Sequence, residues 1–150
     1  MAEFPEKILV ATDGSADSEV AIQRAVELAN KTGADLHMTY IMILSHWMMP
    51  DTLSDAQYQR LKERAQQLLD EQVEKARAAG ADTVQAHLEV GRRADEEVLK
   101  LADEIEADMI VVGSRGAGTI RRALMGSDAE SIARHADRPV LVVRNQRAGR

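Results

Sequence analysis

The segment Gly113–Ser127, GSRGAGTIRRALMGS, concentrates the residue types that handle an anion. Glycines let backbone N–H groups come close to a bound group and converge on it as a nest. Between Asp108 and Asp128 there is no acidic residue, while Arg115, Arg121 and Arg122 supply three positive charges. The whole chain carries 19 Lys and Arg against 25 Asp and Glu, a net charge of −6, so this local reversal of sign suits a phosphate. Two familiar phosphate motifs are excluded. Gly113 and Gly118 have the spacing of a P-loop, but Thr119 stands where its lysine belongs; Gly116 and Gly118 open a dinucleotide fingerprint that fails at Arg121 and follows the wrong strand.

Around this segment stand residues with two readings each. Asp13 follows the first apolar run and serves either as a turn residue or as a ligand-facing carboxylate. Ser127 and Glu130 have S-x-x-E spacing, a capping box that uses the same free amides a phosphate would use. Asp128 then falls in the first helical turn, where a carboxylate favours the helix dipole but repels a phosphate. Arg121 and Arg122 read as solvent-facing. His46, Trp47, Met48 and Met49 read as a loop packing over the sheet edge. His37, His87 and His135 lack metal-ligand spacing, so neither a metal site nor any histidine chemistry is assigned. With no P-loop lysine and no base placed to activate water, no residue is assigned a catalytic role.

The elements that must position these residues alternate along the chain. Lys7–Ala11 is a near-continuous apolar run, as expected of a strand buried on both faces of a parallel sheet. A helix is predicted over Ser15–Thr32, with Ala21, Ala25, Leu28 and Ala29 as its inner stripe and Gly33 as its stop. Leu36–Leu44 is a second strand, and Ser45–Ser54 reads as a loop. A long helix runs to about Ala79 on Leu61, Ala65, Leu68, Leu69, Val73 and Ala76. Thr83–Val90 alternates as a third strand; Ala94, Val98, Leu101, Ala102 and Ile105 mark the next helix. Met109–Val112 is a fourth buried strand, Ser127–Ala136 a short helix and Val140–Val143 a last strand. Five strands alternating with four helices predict an α/β fold, a parallel sheet with helices on both faces, because each parallel pair needs a crossover. No linker or repeat divides residues 1–150, which read as one domain.

Composition narrows the function classes. The acidic balance argues against a general nucleic-acid or anionic-membrane binder. The absence of cysteine excludes a disulfide scaffold, a zinc–thiolate site and a thiol nucleophile. The N-terminus MAEFPEKILVATDGS shows no secretory pattern and no apolar run reaches membrane-spanning length, so a cytoplasmic protein is expected.

The spacing Gly113-x2-Gly116-x9-Gly126-Ser127 resembles the ATP-binding signature of the universal stress protein family. The opening ILVATDGS, the MIVVGSRG strand and loop, the GS-x-x-E helix start and the closing RPVLVVR strand are similar to family blocks in the same order, over essentially the whole chain. The resemblance implies a doubly wound, Rossmann-like sheet of order 3-2-1-4-5, with the loops at Asp13 and Gly113 facing each other across the switch point. It also implies ATP, with Mg²⁺, as the ligand. Carried over by position, Asp13 hydrogen-bonds the ribose, Ala11 is a further cofactor-binding position, the Ile41 backbone ends the second strand at the adenine edge, and Gly113, Ser114, Arg115 and Gly116 line ribose and phosphates. Gly126, Ser127 and Asp128 hold the phosphates at a helix N-terminus. At Asp128 the chain departs from the small or apolar residue of the family pattern.

The implied function is an ATP-binding regulatory or stress-response module with slow or no hydrolysis. A homodimer is expected, formed through the last strand, Val140, Leu141, Val142 and Val143, whose apolar edge would otherwise stand unpaired. Two other classes remain at this point. One is an adenylating ATP pyrophosphatase, whose S-G-G-x-D-S loop differs from Asp13–Ser18 at two defined positions. The other is a nucleotide-free interaction module.

Overall fold

The computed structural model describes residues 3–44, 53–115 and 126–145. Its elements run β1 (Lys7–Thr12), α1 (Ala16–Thr32), β2 (Asp35–Ile43), α2 (Asp55–Ala78), β3 (Gln85–Gly91), α3 (Ala94–Ile105), β4 (Met109–Gly113), α4 (Ser127–His135) and β5 (Val140–Val143). The strands form one sheet of order β3-β2-β1-β4-β5, and every pairing is parallel. The α/β alternation and the implied strand order therefore both hold. Several boundaries shift: β2 is Asp35–Ile43 rather than Leu36–Leu44, so Ile41 is not its last residue; α1 starts at Ala16 with Ser15 as its cap; β3 is Gln85–Gly91 rather than Thr83–Val90; β1 extends to Thr12 and β4 to Gly113; and α4 ends at His135. The Trp47–Met49 loop and Gly116, Gly118, Thr119, Arg121 and Arg122 lie outside the described residues.

The middle of the sheet is buried on both faces because Ile8, Leu9 and Val10 of its central strand are apolar and packed from either side. In β1, Ile8 and Val10 point into one cluster beside Ala21, Ile22, Ala25, Leu69 and Val73 of α1 and α2. Leu9, between them, points into the other, with Val98, Leu101 and Ala102 of α3 and Ile132 of α4. All three are fully buried, and each such side chain contributes about 1.5–3 kcal/mol of hydrophobic stabilisation.

Polar residues fasten the layers at the amino ends of the strands. Asp108 accepts the backbone N–H groups of Glu6 and Lys7, at 2.8 and 3.0 Å. Arg138 donates to the carbonyls of Ala102 and Ala107, at 2.7 and 2.8 Å, closing the C-terminus of α3, whose last turn has no basic residue of its own. His37 Nδ1 and His87 Nε2 share a hydrogen bond of 2.8 Å between neighbouring strands. Burial, then the neighbouring His87 and Lys7, holds the His37 imidazole below its ordinary pKa.

Candidate functional site

The order β3-β2-β1-β4-β5 makes β1 and β4 the strands whose connections leave in opposite directions, which opens a crevice beyond their carboxyl ends. A cavity of about 340 Å³ lies there. Of the ten positions singled out in the sequence, eight line it: Ala11, Asp13, Ile41, Gly113, Arg115, Gly126, Ser127 and Asp128. Ser114 does not. Its side chain is buried and its hydroxyl donates to Asp17 Oδ2 at 3.3 Å, while its carbonyl accepts the Gly126 N–H. Gly116 is outside the described residues.

Each wall has a local cause. After β1, Gly14 takes φ 81°, a left-handed turn that glycine makes without strain, and the Ser15 N–H donates to Asp13 Oδ1 at 2.9 Å. The turn reading of Asp13 is thus realised while its side chain still borders the cavity. The β1–β2 register ends at Thr12↔Tyr40, so Ile41 stands one residue past β1 on that side and remains paired to Glu89 of β3 on the other. Gly113 lines the cavity with backbone, but its missing side chain answers to α1: a Cβ there would sit 2.8 Å from the Asp17 carbonyl carbon. Close packing, beyond any anion approach, demands glycine at this position.

Two expectations need correction. Ser127 is not an N-cap. Gly126 is, with φ −65° and ψ 152°, and it accepts the Glu130 N–H at 3.0 Å. Ser127 is the first helical residue, and the Glu130 carboxylate reaches Arg134 at 2.7 Å instead of closing a capping box. Because glycine has no capping oxygen, no side chain among the described residues caps the start of α4, and Gly126, Ser127 and Asp128 line the cavity. The second correction concerns Arg115. Its guanidinium is largely buried against Asp17, Nε to Oδ2 3.1 Å, so its charge is already balanced within the fold.

The electrostatics of the α4 end are unusual for an anion site. Asp128 is exposed at the mouth of the cavity, yet protein crowds it enough that desolvation, then Asp95 and Asp13, raise its carboxyl above the ordinary value, with Arg93 opposing. The dipole benefit expected of a first-turn carboxylate is outweighed. Asp95 beneath it is buried, which alone would raise its pKa; hydrogen bonds from Arg93, from Ser131 Oγ at 2.5 Å and from the Glu96 backbone hold it below the usual range instead. The Arg93–Asp95 pair, 2.9 Å, brings a mostly exposed guanidinium within electrostatic reach of Asp128.

Sequence reading missed Arg93 and the apolar floor. Ala94 and Val98 carry the helical periodicity that marks core, and the same stripe continues under the cavity beside Val112, Ala129 and Ile132. Arg93 had only its place before a helix to mark it.

Comparison with known proteins agrees with this geometry. The Universal stress protein family matches residues 5–144. The chain belongs to the universal stress protein family. A relative carrying the universal stress protein name in Staphylococcus aureus (strain USA300) is 39% identical over 142 residues, covering 94% of this chain and 85% of its own. Among solved structures, a universal stress protein in complex with cAMP superposes with a TM-score of 0.71 at 30% identity, over 93% of this chain and 96% of that one. The universal stress protein of Archaeoglobus fulgidus in complex with dAMP gives 0.68 at 25% identity, over 94% and 99%. Among the described residues of this universal stress protein, no helix is long and apolar enough to cross a membrane.

Proposed function

We propose that this universal stress protein binds an adenine nucleotide in the crevice between β1 and β4, as a regulatory module that hydrolyses it slowly or not at all. The observation that carries the reading is the α4 N-terminus: it has a glycine cap with no side-chain cap among the described residues, and its first residues border the cavity. Asp13 and the Ile41 backbone stand where ribose and adenine would lie, and relatives of the same fold are complexes of cAMP and of dAMP. ATP is the ligand we assign, in the cytoplasm.

The residues present fit a Mg²⁺ ion that arrives with the nucleotide. Among the described residues no group of three His, Asp or Glu could hold a metal, and Mg²⁺ does not need one, since it keeps several waters and takes phosphate oxygens with one or two carboxylates. Asp128, with Asp13, would supply those, and the ion would offset phosphate charge.

The test begins with freshly purified protein, denatured, and its released nucleotide identified by mass. In calorimetry, Gly126→Arg should lower ATP affinity by at least about a hundredfold, or about 2.7 kcal/mol, with unchanged circular dichroism, because its side chain would occupy phosphate space. Equal affinity for variant and parent removes the α4 end from the site.

The same reading makes the protein a homodimer through β5, the sheet edge opposite β3, where Leu141 is exposed. Antiparallel pairing of two copies would cover that apolar edge. A monomeric mass at micromolar concentration, with and without ATP, contradicts it.

A further inference from the structure

Gln72 breaks the pattern of the helix that carries it. The other buried residues of α2 are Ala65, Leu69, Val73 and Ala76, and Gln72 stands among them at 3% exposure. Packing alone asks for an apolar side chain there, since a buried amide loses water and has to find a partner. It finds one at the end of β1, where Thr12 Oγ1 donates to Gln72 Oε1 at 3.0 Å. We propose that Gln72 is a positioning residue for the nucleotide site: through Thr12 it fixes the turn that carries Asp13, and so sets how well the site recognises the ribose hydroxyls. The inference rests on the nucleotide-binding reading and adds to it a residue of α2 that is not among those lining the cavity.

Thr12 is where the contacts meet. Its side chain is buried, and the residue borders the cavity. A hydroxyl has one proton and two lone pairs, and it rotates until its partners fix it. Here the proton goes to Gln72, one lone pair accepts the Gly14 N–H at 3.2 Å, and the other faces the Ser18 hydroxyl at 3.1 Å. Ser18 also donates to the Ser15 carbonyl at 2.9 Å, and the Ser15 N–H donates to Asp13 Oδ1. Asp13 therefore lies between two residues, Thr12 and Gly14, that a single hydroxyl ties together. One turn before Gln72, Leu68 of α2 packs on the same place, its Cδ1 3.3 Å from where a Cβ of Gly14 would stand. The turn is thus seated on α2 at two points, one apolar and one polar.

Only the polar point gives the seat a direction. Without the amide, the Thr12 proton turns toward Ser18, and the lone pair that receives the Gly14 N–H turns with it. A binding group has to be held within about 0.5 Å of its productive place, so a loosened turn weakens whatever Asp13 contacts. The other walls stand on other elements: Ile41 on β2, and Gly126, Ser127 and Asp128 at the start of α4. Loss of Gln72 is therefore felt at the ribose and not at adenine or phosphate.

The experiment compares the full chain with Gln72→Met, which keeps the length and helix propensity of the side chain and removes the amide. Calorimetry measures ATP and its 2′,3′-dideoxy analogue, both with Mg²⁺, so that whatever the ion contributes cancels in the ratio. The parent should bind ATP about tenfold more tightly than the analogue, the share of one hydrogen bond to a charged group. Gln72→Met should bring that ratio below about threefold and leave affinity for the analogue within about twofold of the parent. A second variant, Gln72→Met with Thr12→Val, removes both partners of the buried bond, which is nearly neutral for folding. Its Tm should match or exceed that of Gln72→Met while the ratio stays low. Stability and ribose selectivity then move apart, which a purely structural role for Gln72 does not allow.

An unchanged ratio in both variants, or an equal loss of affinity for ATP and the analogue, overturns the proposal and leaves the nucleotide reading intact. A parent that binds ATP and the analogue equally well does the same, because Asp13 then reads no ribose hydroxyl. A parent that binds neither overturns both.

Discussion

Two helix N-termini flank the crevice, and they are built in opposite ways. In α1 the cap is Ser15, whose hydroxyl accepts the Ser18 N–H at 3.2 Å, and the second helical residue, Asp17, is buried against Arg115 and Ser114. In α4 the cap is Gly126, with no side chain, and the second helical residue, Asp128, is exposed among other carboxylates. Chemically the positions match: a small residue followed two places later by an aspartate. One end caps its helix and pairs its carboxylate within the fold; the other, among the described residues, has neither a side-chain cap nor an ion pair at its aspartate. An N-terminus is available to a ligand to the extent that the chain has not already filled it.

Breaking the closed end should have the larger effect. Arg115→Ala leaves Asp17 buried with the Ser114 hydroxyl as its remaining side-chain partner among the described residues, and removing one partner of a buried pair costs about 3 kcal/mol. Urea unfolding should show that loss as a lower midpoint at constant slope. A loss below about 0.5 kcal/mol, the range of a surface substitution, would show that the pair is a surface contact and that the two ends are less different than they look.

Removing only the cap is milder. Ser15→Ala should cost about 1 kcal/mol of stability and leave nucleotide affinity unchanged, since Ser15 itself does not line the cavity. If affinity falls with stability, the α1 end also shapes the site, and the comparison needs a shared element.

The smallest effect is expected at the open end without ligand. Folding raises the Asp128 pKa, so its favourable contribution is complete below the unfolded value of about 4 and is lost as pH rises through the higher folded value. At neutral pH the ionised group is therefore a net liability, and Asp128→Asn should raise Tm by about 1–2 °C, with the difference vanishing in acid. A lower Tm at pH 7 would show that the helix dipole outweighs burial and the neighbouring acids. His37 acts in the opposite sense: its folded pKa is depressed, so its contribution is present above about pH 6.5 and is lost as pH falls through the folded value.

Much of the arrangement was legible because it depends on short-range order. The apolar runs at Lys7–Ala11 and Met109–Val112, the stripe of α3 and the stop at Gly33 each follow from a local period or a residue's own conformational freedom. Strand order came from resemblance to a known family, since alternation alone allows several windings. What misled was a local rule applied where two adjacent residues could satisfy it. S-x-x-E named Ser127 as the cap, but Gly126 already holds the extended geometry and the carbonyl contact, and the rule cannot choose between neighbours.

The sequence by itself determined which elements form and which glycines and aspartates bracket the crevice, because period, turn chemistry and composition act over a few residues. Tertiary structure alone decided their roles. Asp17 and Arg115, 98 residues apart, meet only because α1 packs under the end of β4. Asp13, Asp95 and Asp128 share one field only because β1, α3 and α4 converge there. Charge acts through space across several ångströms, and no reading along the chain can tell that one aspartate is neutralised by a distant arginine while another, in the same place on its helix, is left facing two more acids.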